Sequence, residues 1–129
     1  MTTEHGVFFK SAAHQKRFLA AMRDAGKVED TALDPEYAAA LYILTADTGT
    51  WEKANESIDG DSIDMPLLLT EVDFSGGYSV LIRLAGNLFN GQLHLDPLEL
   101  YRLDSSNFTL AMTALWIRRE TYHLDDFTA

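Results

Sequence analysis

Residues Ala38 to Leu44 form a run that is apolar on nearly every side when it is drawn as a helix. The run follows Asp34-Pro35, a typical helix start, because Asp accepts hydrogen bonds from free backbone N–H groups and Pro has no N–H to satisfy. A helix that is hydrophobic all round must be covered by other elements. We therefore predict a central helix from Pro35 to about Ala46, buried within a domain.

Start and stop signals of the same kind recur along the chain and predict further helices. Ser11 is a suitable N-cap for a first helix that ends before Gly26, and Asp96-Pro97 begins a short helix that reaches Leu103. A last long helix is predicted from Ser105 to Tyr122. Three more helices are expected over 51–55 (capped by Thr48 or Thr50), 65–72 and 78–89, with chain breaks at 75–77 and at Gly91.

These signals predict an all-α fold, a single domain over residues 1–129 packed as a compact bundle of about five to seven helices. A chain of 129 residues with 47% hydrophobic content can bury a core without disulfides or a structural metal. The alternative is an α+β fold with a minor two-stranded element, because residues 80–82 and 92–95 have strand-like patterns. The acidic stretch Ser57 to Asp64 is predicted to be a loop.

The apolar faces of the predicted helices give a predicted core. The last helix has two such faces, one from Phe108 to Trp116 and one from Leu110 to Ile117, so we expect it to be buried for most of its length. Trp51 and Trp116 are predicted to be core residues, and the alternative for Trp51 is an exposed anchor at a partner surface. The predicted core centres on Leu41, Leu44, Leu81, Leu84, Leu88, Phe108, Met112 and Leu115.

The charge is strongly negative and unevenly distributed. The net charge is −10; residues 1–27 carry +3, residues 28–104 carry −12 and residues 105–129 carry −1. Duplex DNA is bound by neutralising phosphates with Lys and Arg, so we expect no direct nucleic-acid binding. This charge distribution is typical of a solvated surface with a basic first helix lying against acidic neighbours. The alternative is a surface that binds a basic partner or mimics the charge of nucleic acid.

Motifs that carry chemistry are missing. The chain has no cysteine, its four histidines form no metal-binding pattern, and no glycine-rich phosphate loop or nucleophile elbow is present. We therefore expect no cofactor, no metal and no identifiable catalytic residue. No basic segment followed by an apolar run begins the sequence, and no apolar stretch reaches membrane length. The predicted location is the cytoplasm, with no membrane association.

A few polar and aromatic residues are candidates for binding. His14 is a possible polar anchor or general base, but a histidine on a helix more often packs against neighbours. Asparagine at a helix end and Asp or Asn at a helix start are ordinary capping residues as well as candidate ligand contacts. The candidate binding residues are His14, Arg17, Asn87, Asn90, Asp104, Asn107 and Trp51.

Several short segments, taken together and in order, span most of the chain. They are Phe9-Lys10-Ser11 with His14 and Arg17-Phe18, residues 40–45 (Ala-Leu-Tyr-Ile-Leu-Thr), residues 85–91 (Ala-Gly-Asn-Leu-Phe-Asn-Gly), Leu103-Asp104, and Asn107-Phe108. In this set the chain resembles an uncharacterised family of short bacterial single-domain proteins that is associated with mobile elements. The resemblance implies a single helical domain, and it assigns no activity and no catalytic residue.

The sequence is compatible with three functional hypotheses. The favoured hypothesis is a non-enzymatic, acidic helical interaction or regulatory module that binds a protein partner or self-associates. The second is a small enzyme or ligand-binding domain with a polar pocket near His14 and Arg17, completed by Asn87 or Asp104. The third is an inhibitor that mimics nucleic acid, with the acids of residues 29–73 along one face. Convergence of the candidate side chains on one pocket would favour the second hypothesis.

Overall fold

The computed structural model describes residues 1–59, 62–66, 68, 76–120 and 122–128. Its long helices are α1 (Ala12–Asp24), α2 (Pro35–Leu44), α4 (Gly76–Asn90) and α5 (Ser105–Arg119), and its shorter ones are α3 (Thr48–Asn55) and α6 (Leu124–Phe127). A 3-10 helix spans Pro97–Arg102 between α4 and α5. The helical class predicted from the sequence is confirmed, and most of the predicted helix over 65–72 lies outside the described residues.

The minor β element is also present, but not where the alternative prediction placed it. Strand β1 (Val28–Glu29) pairs with β2 (Ala32–Leu33), and β3 (Ile58–Asp59) pairs with β4 (Ser62–Ile63), both antiparallel. Residues 80–82 lie within α4, and residues 92–95 form no strand. The stretch predicted as an acidic loop therefore contains the paired strands β3 and β4, in which Ile58 lies opposite Ile63.

Helix α2 is the centre of the fold, as its all-apolar sequence predicts. Every residue from Tyr37 to Leu44 is buried, and α2 packs against α1, α4 and α5. The Asp34 carboxylate accepts hydrogen bonds from the backbone N–H groups of Glu36 and Tyr37, which fixes the start of the helix. Three neighbouring helices thus remove residues 37–44 of α2 from water.

Aspartate is the N-cap residue of four helical segments. Asp34 caps α2, Asp47 caps α3, Asp96 caps the 3-10 helix and Asp104 caps α5, each through a side-chain oxygen that accepts a backbone N–H bond. A negative charge at this position also interacts favourably with the positive end of the helix dipole. The prediction that Thr48 or Thr50 caps α3 is wrong, since the carboxylate of Asp47 accepts from the Thr50 backbone N–H.

The helix ends and chain breaks predicted at glycines are confirmed only in part. Gly26 and Gly91 have φ of +68° and +76° and follow the ends of α1 and α4, where a left-handed residue ends a helix. By contrast, Gly76 and Gly77 begin α4 rather than break the chain before it. Gly86, inside α4, lets Leu93 approach so closely that an added Cβ would lie 2.7 Å from the Leu93 side chain.

Aromatic side chains from both ends of the chain close the core beside α1. Phe9 and Phe127 are fully buried, with ring centroids 6.3 Å apart, and Phe18 lies 4.9 Å from Phe127. The Gln15 side-chain amide donates to the Phe127 carbonyl at 2.6 Å. Helix α6, which the sequence analysis did not predict, is therefore held in place by burial of Phe127.

Helix α5 differs from its prediction in both length and orientation. It ends at Arg119 rather than Tyr122, and only one of its two apolar faces is buried. The buried face consists of Asn107, Leu110, Ala111, Ala114 and Ile117. Leu115 and Trp116, which were predicted to lie in the core, are 38% and 51% exposed.

Candidate functional site

His14 is fully buried, and both of its ring nitrogens are hydrogen-bonded to the backbone. Nε2 donates to the Tyr42 carbonyl oxygen at 2.7 Å, and Nδ1 accepts from the Lys10 N–H at 3.1 Å. A carbonyl can only accept and an N–H can only donate, so the neutral Nε2–H tautomer is selected. The Phe9 ring packs edge-on against the imidazole, with the centroids 4.9 Å apart.

This environment removes His14 as a general base. Burial lowers the pKa of His14 from 6.5 to about 4; the hydrogen bond to Tyr42 opposes this shift, and the charges of Arg17 and Lys10 add to it. The ring is therefore neutral at physiological pH, but it has no free nitrogen lone pair for a substrate proton. His14 acts instead as a fixed polar link between α1, α2 and the N-terminal segment.

Arg17 closes the C-terminal end of α2. Its guanidinium donates to the carbonyl oxygens of Thr45 at 2.9 Å and Ala46 at 3.4 Å, and to the Thr48 hydroxyl at 3.0 Å. The last carbonyls of a helix have no partner within the helix, and a cation there also complements the helix dipole. These contacts within the fold explain why an arginine stands at this position of α1, and no ligand is needed to explain it.

Replacing Arg17 with methionine should lower the free energy of unfolding by about 1–3 kcal/mol, because it removes charged donors from partly buried carbonyls. Lys16, which is exposed on the same helix, provides the matched control, and Lys16→Met should change stability by less than about 0.5 kcal/mol. Urea denaturation followed by circular dichroism measures both variants. Equal stability of the two would mean that the Arg17 hydrogen bonds contribute nothing to folding.

Lys10 links the N-terminal segment to the start of α5. Its ammonium donates to Oδ1 of Asn107, which is buried, and lies 5.5 Å from the centre of the Tyr78 ring. The Asp104 carboxylate accepts from the Asn107 backbone N–H at 2.8 Å. Three of the predicted residues, His14, Asp104 and Asn107, are thus connected through Lys10, which the sequence analysis did not select.

Tyr78 lies between two capping carboxylates. Partial burial raises the pKa of its phenol, and the charges of Asp47 and Asp104 raise it further. The hydroxyl therefore stays protonated at neutral pH, where it is a hydrogen-bond donor and not a nucleophile. No signal in the sequence selects Tyr78 or Lys10, since their neighbours are far away along the chain.

The other candidate residues lie elsewhere. The Asn87 amide donates to the Leu93 carbonyl, and Oδ1 of Asn90 accepts from the Gln92 N–H, so both stabilise the turn after α4. Trp51 is half-buried beside a groove of about 310 Å³ that is also lined by Tyr37 and Leu41. The candidates therefore do not meet in one polar pocket, which was the condition set for an enzyme near His14 and Arg17.

An apolar stripe runs along the outer side of α5, where Leu115 and Trp116 are exposed and the residues before them are partly buried against the core. We call Phe108, Met112, Leu115 and Trp116 the outer stripe; their spacing of three and four residues places them on one helix face. Met112, Leu115 and Trp116, with Arg119, line a shallow groove of about 240 Å³. The Arg119 guanidinium lies over the Trp116 ring at 5.3 Å from its centre.

The outer stripe continues onto the 3-10 helix before α5. The ring of Tyr101 stacks on that of Phe108, with centroids 6.3 Å apart and planes 22° from parallel. Tyr101 is 74% exposed and Leu98 is 66% exposed. Solvent-exposed tryptophan, tyrosine and leucine that adjoin one another are typical of a binding surface, whereas single exposed apolar residues are common on any protein.

The described part of the chain contains neither a membrane-spanning helix nor a cluster of metal ligands. No helix among the described residues is long and apolar enough to cross a membrane. No group of three or more His, Asp or Glu side chains among them is arranged as metal ligands.

Comparisons of the chain with protein-family models, with curated proteins and with solved structures find no match. The resemblance to an uncharacterised bacterial family therefore stays a hypothesis.

Proposed function

We propose that this protein is a non-enzymatic interaction module that binds another polypeptide through the outer stripe of α5. The observation that carries the proposal is the exposure of Trp116, at 51%, next to Leu115 and the Tyr101–Phe108 pair. Burying such side chains against a partner removes apolar surface from water, at roughly 25 cal/mol per Å². Tryptophan and tyrosine are also enriched among the residues that dominate binding energy.

The state of the polar groups supports an interaction role over a catalytic one. Both ring nitrogens of His14 are hydrogen-bonded to the backbone, and the Arg17 guanidinium donates to backbone and side-chain oxygens within the fold. The Tyr42 hydroxyl donates to the Phe8 carbonyl, and burial raises the pKa of that phenol. The proposal also includes a cytoplasmic location, because a chain without cysteine suits a reducing compartment.

Photo-crosslinking from the outer stripe tests this proposal. A benzophenone amino acid replaces Leu115 on the stripe or, as the control, Lys53, which is exposed on α3. The protein is expressed in its native host and irradiated. We expect a discrete adduct from position 115 that is lost when Trp116→Lys is added, and no such adduct from position 53.

The crosslinking results that support the proposal differ from those that contradict it. An adduct that requires Trp116 supports the module, whatever the mass of the attached polypeptide. If position 115 yields no adduct, or if the same adducts arise from both positions, the outer stripe is not a binding surface and the proposal fails.

A further inference from the structure

We infer that the outer stripe binds a second copy of this chain, with the two α5 helices antiparallel and a two-fold axis passing beside Met112. The inference rests on the proposed function and specifies the partner. It follows from the symmetry of the stripe, the charges at the two ends of α5 and the absence of acidic residues along it.

The stripe is symmetric about Met112. Phe108 lies four residues before Met112 and Trp116 lies four residues after it, on the same helix face. In an antiparallel pair centred on Met112, Phe108 of one copy faces Trp116 of the other, and the converse contact forms at the opposite end. A two-fold interface requires this self-complementarity, in which one patch serves both copies.

The aromatic groups at each end fit this register. Phe108 is stacked on the exposed Tyr101, so the first end of the stripe presents a pair of rings. Trp116 at the other end carries the Arg119 guanidinium over one face of its ring. The antiparallel pair brings the indole of one copy to the Tyr101–Phe108 pair of the other, where ring contacts add to the burial of area.

The charges at the ends of α5 disfavour the parallel direction. Arg102 and Asp104 lie just before the helix, and Arg119 and Glu120 lie at its end. Antiparallel pairing centred on Met112 places Arg119 of one copy one residue from the position opposite Asp104 of the other, and it places Glu120 opposite Asp104, so each end has both a favourable and an unfavourable charge pair. Parallel pairing would place Arg119 against Arg119 and Asp104 against Asp104, which is unfavourable.

Charge along the helix also selects this face. Two copies that each carry −10 repel one another, yet α5 has no acidic residue from Ser105 to Arg119. The outer stripe is thus a surface to which α5 itself contributes no carboxylate, and the nearest ones, Asp104 and Glu120, flank the helix. Because salt screens the remaining repulsion, dimerisation should strengthen as salt rises, whereas binding of a basic partner should weaken.

The expected affinity is modest. A helix of 15 residues is about 22 Å long, so one helix pair with its flanking aromatic rings lies at the lower end of specific interfaces, near 1,200 Å². We therefore expect a dissociation constant on the order of micromolar. Sedimentation experiments must cover a concentration range around that value.

Single cysteines provide a direct test, because the natural chain has none. In helices packed about 8–10 Å apart, facing Cα atoms approach to a distance that a disulfide can span. Met112→Cys, at the two-fold axis, should form a disulfide-linked dimer under mild oxidation. Ser105→Cys is the matched control, since antiparallel pairing places the two 105 positions about 21 Å apart.

Sedimentation equilibrium of the unmodified chain at low and high salt completes the test. We expect a monomer–dimer equilibrium that tightens with salt and a dissociation constant raised at least about tenfold by Trp116→Lys. Glu52→Lys, an exposed charge change on α3, should leave the dimer intact. This measurement does not depend on the cysteine variants.

Three results would overturn the inference. They are a monomer at all concentrations, an efficient disulfide from Ser105→Cys but not from Met112→Cys, and a photo-adduct from position 115 whose mass shows a different polypeptide. The last of these leaves the proposed interaction module standing, whereas a missing adduct removes both.

Discussion

Replacing Leu84 with alanine should lower the free energy of unfolding by about 2–5 kcal/mol, the usual range for a buried leucine that loses its side chain. Leu84 is 2% exposed and lies on α4, which packs against both α2 and α5. The loss combines the burial energy of three side-chain carbons with the cavity that remains, since rigid helices on either side cannot collapse into it. Denaturant unfolding monitored by circular dichroism measures the effect.

Leu115→Ala is the matched control for this prediction. Leu115 is 38% exposed on the outer stripe, so removal of its side chain should cost less than about 1 kcal/mol in the monomer. The comparison must be made below the concentration at which two copies associate. Equal losses in the two variants would show that the outer face of α5 is buried in solution and that the face assignment is wrong.

Acidification from pH 6.5 to pH 4 should remove up to about 3 kcal/mol of stability through His14 alone. Burial lowers the pKa of His14 from 6.5 to about 4 in the folded state. The unfolded chain therefore takes up a proton first as the pH falls, and unfolding becomes more favourable. The loss begins near pH 6.5, grows until about pH 4 and then levels off, while above pH 7 the histidine makes no pH-dependent contribution.

A comparison with a variant that lacks His14 isolates this effect from the many carboxylates. His14→Gln should be less stable than the natural chain at pH 7, but the difference between them should shrink as the pH falls to 4. His94→Gln, at an exposed position, should instead give a profile parallel to that of the natural chain. If the His14→Gln profile is also parallel, the imidazole is not buried in its neutral form.

Local signals predicted the helices well. Asp34-Pro35 begins α2, Ser11 caps α1, and Gly91 ends α4, each as expected. These features depend on hydrogen bonds and backbone angles within a few residues, so the sequence contains all of the information. The apolar run of α2 was sufficient to place it at the centre because no other position would hide every face.

The orientation of α5 was not predictable in the same way. Its two faces are both apolar, and periodicity alone does not say which one turns inward. The structure buries the face with Ala111 and Ala114, whose small side chains allow α2 to approach, and leaves the bulkier Leu115 and Trp116 outside. The short hairpins and α6 were missed because their contacts are set by the tertiary fold.

The candidate site shows the same limit. Asp104 caps α5 and His14 packs within the fold, as the more ordinary interpretation of each residue predicts. Lys10 and Tyr78 were not selected, because Lys10 reaches Asn107 across 97 positions of the chain. Contacts of that length follow from the packing of helices, which a single sequence specifies only indirectly.

Part of the negative charge of this protein has a structural role, because four of its aspartates cap helical segments. Asparagine caps a helix about as well as aspartate and carries no charge. Asp→Asn changes at Asp34, Asp47, Asp96 and Asp104 would therefore move the net charge from −10 to −6, keep the four caps and cost only the helix-dipole contribution. Such a charge-reduced chain would allow the electrostatics of association to be varied independently of the fold.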